Sequence, residues 1–137
     1  MSTVIRPEVS KKNQYWIDRH RYYELKHFCL QYPIWKKQRA SLDGFVKPNY
    51  GDVIFSNEPG DPTATCAEAK AYYTDRIELV ERITIEVDSG LASYILIGIT
   101  EGVSYDQLKA RLNVPCCKDV YYDLYRKFFW LLDRARK

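Results

Sequence analysis

Residues 103–137, VSYDQLKARLNVPCCKDVYYDLYRKFFWLLDRARK, decide how the chain folds. They read as a short helix, a tight turn and a longer basic helix, the grammar of a helix-turn-helix. Ser104 and Gln107 stand at capping-box spacing, each able to satisfy a backbone donor at the helix start. Val103 and Leu108 are spaced as a hydrophobic staple, and Leu108 and Leu112 share one face. Asn113 suits the left-handed position after a helix end, and Pro115 discourages continuation. In the second helix Val120, Leu124, Phe128 and Leu131 form one stripe, the expected core side. Lys118, Tyr122, Arg126 and Lys127 lie between them, long polar or basic side chains suited to phosphate or base contact. A helical hairpin with a solvated basic face would show the same pattern.

Aromatic residues crowd this last helix: Tyr121, Tyr122, Tyr125, Phe128, Phe129 and Trp130. Successive residues turn by about a hundred degrees, so Tyr122, Arg126 and Phe129 cannot share the Val120 stripe. They are expected to face solvent, DNA or another protein. An exposed Phe129 and Trp130 would be costly, so the final turns are expected to dock on the N-terminal helices or on a second subunit.

Upstream, LASYILIGITEG at residues 91–102 is nonpolar almost all round and should be the most buried element, ended by Gly102. It would support the helix-turn-helix and complete a three-helix DNA-binding unit over residues 91–137. A long helix over residues 63–90 precedes it, with Pro62 near its first turn. Its stripe is Cys66, Ala69, Tyr73, Ile77, Val80, Ile83 or Thr84, and Val87. Such a stripe must pack on another helix, from this chain or from a second copy. Glu78 and Arg82 add a same-face charge pair. Residues 43–62 hold Gly44, Pro48, Gly51, Pro59, Gly60 and Pro62, which predicts an extended connector. Residues 1–42 form a basic N-terminal segment: an arm over the first dozen residues, a helix over 16–31, a break at Pro33, and one or two further turns over 34–42. The expected fold class is therefore all-α.

The net charge of +3 hides segregation. Residues 1–42 carry nine basic and three acidic groups, residues 43–103 four and eleven, and residues 104–137 eight and four. Basic ends around an acidic middle suit a polyanion surface built from the ends, with Lys36, Lys37 and Arg39 as a secondary basic patch. Acidic and basic regions pairing within one fold or across a dimer would give the same map.

Other chemistry finds little support. The four cysteines, Cys29, Cys66, Cys116 and Cys117, lack the spacing of a zinc framework and read as small reduced residues around the turn. A thiol at a helix N-terminus would have a lowered pKa, which leaves a redox role open. His20, Glu24 and His27 share a helix face and could hold a metal only with further ligands. No phosphate loop, dinucleotide fingerprint or nucleophile elbow is present. Catalysis, a metal and a cofactor are not expected. The N-terminal residues have no apolar signal segment, and the longest nonpolar run, residues 91–100, is about half of a bilayer span. The expected compartment is the cytoplasm, with no membrane partner.

The element order, with LQYPIWKKQRASL, then DPTATCAEAKAYYTDRIELVERI, then a pair of helices ending YYDLYRKFFWLL, resembles the RinA/ArpU-type regulators of Gram-positive prophages. The C-terminal part of that family is similar to region 4 of sigma factors. Leu30, Tyr32 and Pro33 and the terminal helix pair carry most of the likeness. The connection through Pro115, Cys116 and Cys117 is about one residue longer than the usual helix-turn-helix turn of roughly 3–4 residues. The resemblance implies a sequence-specific DNA-binding activator of phage late or packaging genes. By analogy with helix-turn-helix docking, Lys118, Asp119, Tyr121 and Tyr122 would face bases. Arg111, Arg126 and Lys127 would contact phosphates, and Lys109 lies on the same surface. Duplex DNA is the expected partner, with RNA polymerase and a second copy of the chain as further candidates. The alternatives are a protein-interaction module that binds a host factor, such as RNA polymerase or a defence nuclease, and a packaging component similar to small terminase subunits.

Overall fold

The computed structural model describes residues 13–45 and 62–136. The expected N-terminal arm and most of the 43–62 connector lie outside the described residues. Six helices follow in chain order: α1 (Arg19–Leu30), α2 (Tyr32–Phe45), α3 (Pro62–Val87), α4 (Ala92–Glu101), α5 (Tyr105–Leu112) and α6 (Lys118–Ala135). No strand occurs among the described residues, so the all-α expectation holds.

The helix boundaries follow local chemistry. α1 begins three residues later than the sequence suggested, because Asp18 is its N-cap and its carboxylate accepts the His20 N–H at 3.0 Å. Pro33 sits inside the first turn of α2 rather than in a break before it. A first-turn N–H has no intrahelical acceptor, so proline costs nothing there. α2 accordingly runs longer than the one or two turns expected. Asp88 closes α3 by accepting the N–H groups of Gly90 and Leu91 at 2.9 and 3.1 Å. Gly102 ends α4 in the left-handed region at φ 69°, where a side chain would be strained.

Ile77, Val80, Ile83, Thr84 and Val87 on α3 are buried, while Cys66, Ala69 and Tyr73 of the expected stripe are half-buried. The partner helix belongs to the same chain: α3 packs most extensively on α2, which contributes buried Tyr32 and Trp35. Polar contacts lock the pair, with the Tyr32 hydroxyl donating to the Glu81 carboxylate and Arg39 Nη1 donating to Thr74 Oγ1 at 3.3 Å. α4 packs against all five other helices, as its nonpolar circumference requires, and buries Ile95, Gly98 and Ile99. α6 lies on α1, α3, α4 and α5. One hydrophobic cluster takes residues from all six helices, so α4, α5 and α6 share their core with the N-terminal half. No helix among the described residues is long and apolar enough to cross a membrane.

Candidate nucleic-acid interface

The helix-turn-helix is assembled by local caps and then held by tyrosines. The capping box forms: the Gln107 N–H donates to Ser104 Oγ at 3.2 Å, and the Ser104 N–H donates to Gln107 Oε1 at 3.0 Å. Asn113 takes the left-handed conformation at φ 55°, its N–H bonded to the Lys109 carbonyl at 3.0 Å. Val114 then turns inward and is fully buried. Three side-chain contacts tie α5 to α6 and to the turn between them. The Tyr105 N–H, left without an intrahelical acceptor at the start of α5, donates to the Tyr122 hydroxyl at 3.1 Å. The Tyr105 hydroxyl donates to the Cys116 carbonyl at 2.6 Å, and Lys109 Nζ donates to the Val114 carbonyl at 3.0 Å.

This arrangement corrects the reading of α6. Tyr121 and Tyr122, expected at the bases, are buried at 1% and 7% exposure. Phe129, expected outside, is buried with its ring edge-on to Tyr22 at 5.1 Å. Val120, expected in the core, is 46% exposed, and Leu124 and Leu131 sit half-buried at its margin; only Phe128 of that stripe is fully buried. The helix is turned so that Tyr121, Tyr125, Phe128, Phe129 and Leu132 face inward. The reason is area: the aromatic set removes more apolar surface from water than Val120, Leu124 and Leu131 would. A signal existed in the sequence, since Tyr121, Tyr125, Phe128 and Leu132 also recur at helical intervals, spaced four, three and four. The final turns do dock on α1 and the turn before it: Trp130 meets Tyr15 at 5.6 Å, Tyr125 and Tyr22 share a 2.7 Å hydroxyl contact, and Arg21 Nε reaches Asp133 at 2.6 Å. Burial pushes the phenols of Tyr121 and Tyr125 up, so both stay protonated inside the helix pack.

Outward, the first turns of α6 present Lys118, Asp119, Val120 and Asp123, all exposed, with Arg126 and Lys127 half-buried behind them. A surface depression of about 480 Å³ is lined by Lys118, Asp119, Val120, Tyr122, Asp123 and Arg126. The cations here have partners: Lys118 lies 3.9 Å from Asp106, Arg126 lies 3.8 Å from Asp123, and Arg111 lies 3.6 Å from Glu101. Such surface pairs contribute little and exchange readily for phosphate. Lys36 and Lys37 are exposed on α2, whose chief packing partner is α3, while Arg39 is half-buried against Thr74.

The remaining candidates resolve simply. The four cysteines are free thiols, with Cys29 buried and Cys117 exposed as the N-cap of α6. Burial, and then Cys117 beside it, raises the Cys116 thiol, which lies just before that cap. His20, Glu24 and His27 are exposed, and Glu24 is engaged by Arg21 at 2.9 Å. Among the described residues no three His, Cys, Asp or Glu side chains are placed to share a metal ion. The sequence reading missed Tyr105 and the inward Val114, because their partners lie on the far side of the turn. Comparisons with known protein families, with curated proteins and with solved structures return no match.

Proposed function

We propose that this chain binds duplex DNA in a sequence-specific manner and acts in transcriptional control, with α6 docked in the major groove. The observation that carries the reading is the α5–α6 pair itself. One side-chain contact joins the two helices and two more brace the turn, while the first turns of α6 keep an outward face of Lys118, Asp119, Val120 and Asp123. A helix is about 10–12 Å across with its side chains, and the major groove is about 12 Å wide. Arg111, Arg126 and Lys127 would form rim contacts to phosphate, Arg111 and Arg126 after exchanging their present neighbours Glu101 and Asp123. The likeness of the sequence to RinA/ArpU-type regulators points the same way and assigns the targets to phage or prophage operons. Fluorescence anisotropy with labelled duplexes tests the proposal. Affinity is expected to fall steeply with salt, and Arg126→Ala to reduce the logarithmic salt slope by about 1. Lys118→Ala is expected to cost more specificity than Lys36→Ala. Absent or salt-insensitive duplex binding refutes the reading.

A second reading rests on one observation: the outward face of α6 is nearly balanced in charge and centred on exposed Val120. A protein partner such as RNA polymerase would suit that surface. Titration of purified polymerase against the labelled chain in nuclease-treated buffer separates the two. Binding that Val120→Asp abolishes, together with no duplex binding, favours the protein partner.

A further inference from the structure

The residues that α6 turns outward are unlike those of a helix that merely neutralises phosphates. Asp119, Val120 and Asp123 are all exposed, and at a hundred degrees per residue they occupy one arc about 100° wide. Lys127 falls within the same arc. The aromatic residues that could have stacked on bases are withdrawn into the core, so this arc offers a base two carboxylates, one branched apolar side chain and Lys127, with Lys118 exposed at the helix start. A carboxylate brought into the major groove is repelled by phosphates and by the acceptors on base edges: N7 and O6 of guanine, N7 of adenine, O4 of thymine. Cytosine presents a lone amino donor there, its N4 group. An apolar side chain has one counterpart in that groove, the thymine C5 methyl. Asp123 is held 3.8 Å from Arg126, one turn further along the helix, so the pair can divide on docking, the guanidinium to a phosphate and the carboxylate to a base.

Resting on the DNA-binding reading above, we infer that Asp123 accepts from a cytosine amino group and Val120 contacts a thymine methyl. The ligand class is a duplex with both pyrimidines within the few base pairs spanned by two helical turns. Asp119 adds a second acceptor that disfavours guanine-rich edges. The carboxylates give selectivity at the expense of general affinity, so neutralising one strengthens binding to unselected DNA.

The test is selection from a random duplex pool with the full chain, its Asp123→Asn variant and its Val120→Ala variant, with helix content checked by circular dichroism. The wild-type motif is expected to contain cytosine at a position where Asp123→Asn selects adenine, because an asparagine amide matches adenine N6 and N7. Relative affinity at that position should change by about tenfold or more. Replacing thymines of the selected site by deoxyuridine should weaken the wild type and leave Val120→Ala unchanged. Duplex binding with a motif that lacks cytosine, or one that Asp123→Asn leaves unchanged, overturns the inference and leaves DNA binding standing. No duplex binding by the wild type overturns both.

Discussion

Gly98 is where a single atom decides the packing. A Cβ there would fall 2.0 Å from the Tyr121 hydroxyl and 2.9 Å from a Leu108 methyl, so α4 meets α5 and α6 only because the side chain is absent. Gly98→Ala is expected to destabilise the fold by about 1–3 kcal/mol through overpacking. The Tyr121 hydroxyl is itself buried with no hydrogen-bond partner. Removing such a group relieves its desolvation penalty, so Tyr121→Phe is expected to raise stability by about 1 kcal/mol. The double variant should recover part of the Gly98→Ala loss, since the offending oxygen is gone. Urea unfolding of the four proteins checks all three statements; a double variant that is merely additive would show that Tyr121 is not what Gly98 accommodates.

Between residues and the whole molecule, the α5–α6 pair shows two kinds of control. The caps are written locally: Ser104, Gln107 and Asn113 sit where the spacing demands, and the structure places each in its expected role. Ser104→Ala is expected to cost about 1 kcal/mol, as N-cap removals do. The inter-helix angle has no such local code. It depends on Tyr122 reaching the Tyr105 N–H from seventeen residues away. Tyr122→Phe leaves that buried donor without its acceptor, at a cost of about 1–3 kcal/mol. It should also weaken duplex binding by altering the presentation of α6, although Tyr122 is itself only 7% exposed. Thermal unfolding and anisotropy on the same sample separate this from Ser104→Ala, which is expected to lower stability and leave affinity unchanged.

At the scale of the molecule, buried tyrosines tie the helices together and set a limit on alkaline stability. Tyr32, Tyr121 and Tyr125 are all pushed above the ordinary phenol value of 10.0, chiefly by burial. Above that value the folded chain binds more protons than the unfolded chain, so stability present below pH 10 is lost as pH rises beyond it. Tyrosinate absorbance and loss of helical circular dichroism are expected to rise together in that range. Ionisation of these three phenols well before the helices melt would contradict their placement. The charge map also becomes concrete at this scale. The basic ends meet directly, since Arg21 of α1 holds both Asp133 of α6 and the carbonyl of Arg136 just beyond it, and the acidic middle meets the C-terminal region where Glu101 faces Arg111.

The sequence by itself determined the helical class, the number of major helices, the start and stop of α5, and the central packing of α4 against its neighbours. These follow from short-range rules: caps satisfy backbone groups a few residues away, and an element apolar on every side has nowhere else to go. Tertiary structure alone decided which way α6 faces. Two stripes at three- and four-residue intervals run along that helix and share Phe128, Val120–Leu124–Phe128–Leu131 and Tyr121–Tyr125–Phe128–Leu132, and periodicity cannot choose between them. The choice was made by what lay opposite: Gly98 leaves room for the Tyr121 ring, Tyr22 receives Phe129 and Tyr125, and the open Tyr105 N–H takes Tyr122. That rotation moved two tyrosines from the candidate reading face into the core and left Asp119, Val120 and Asp123 in their place.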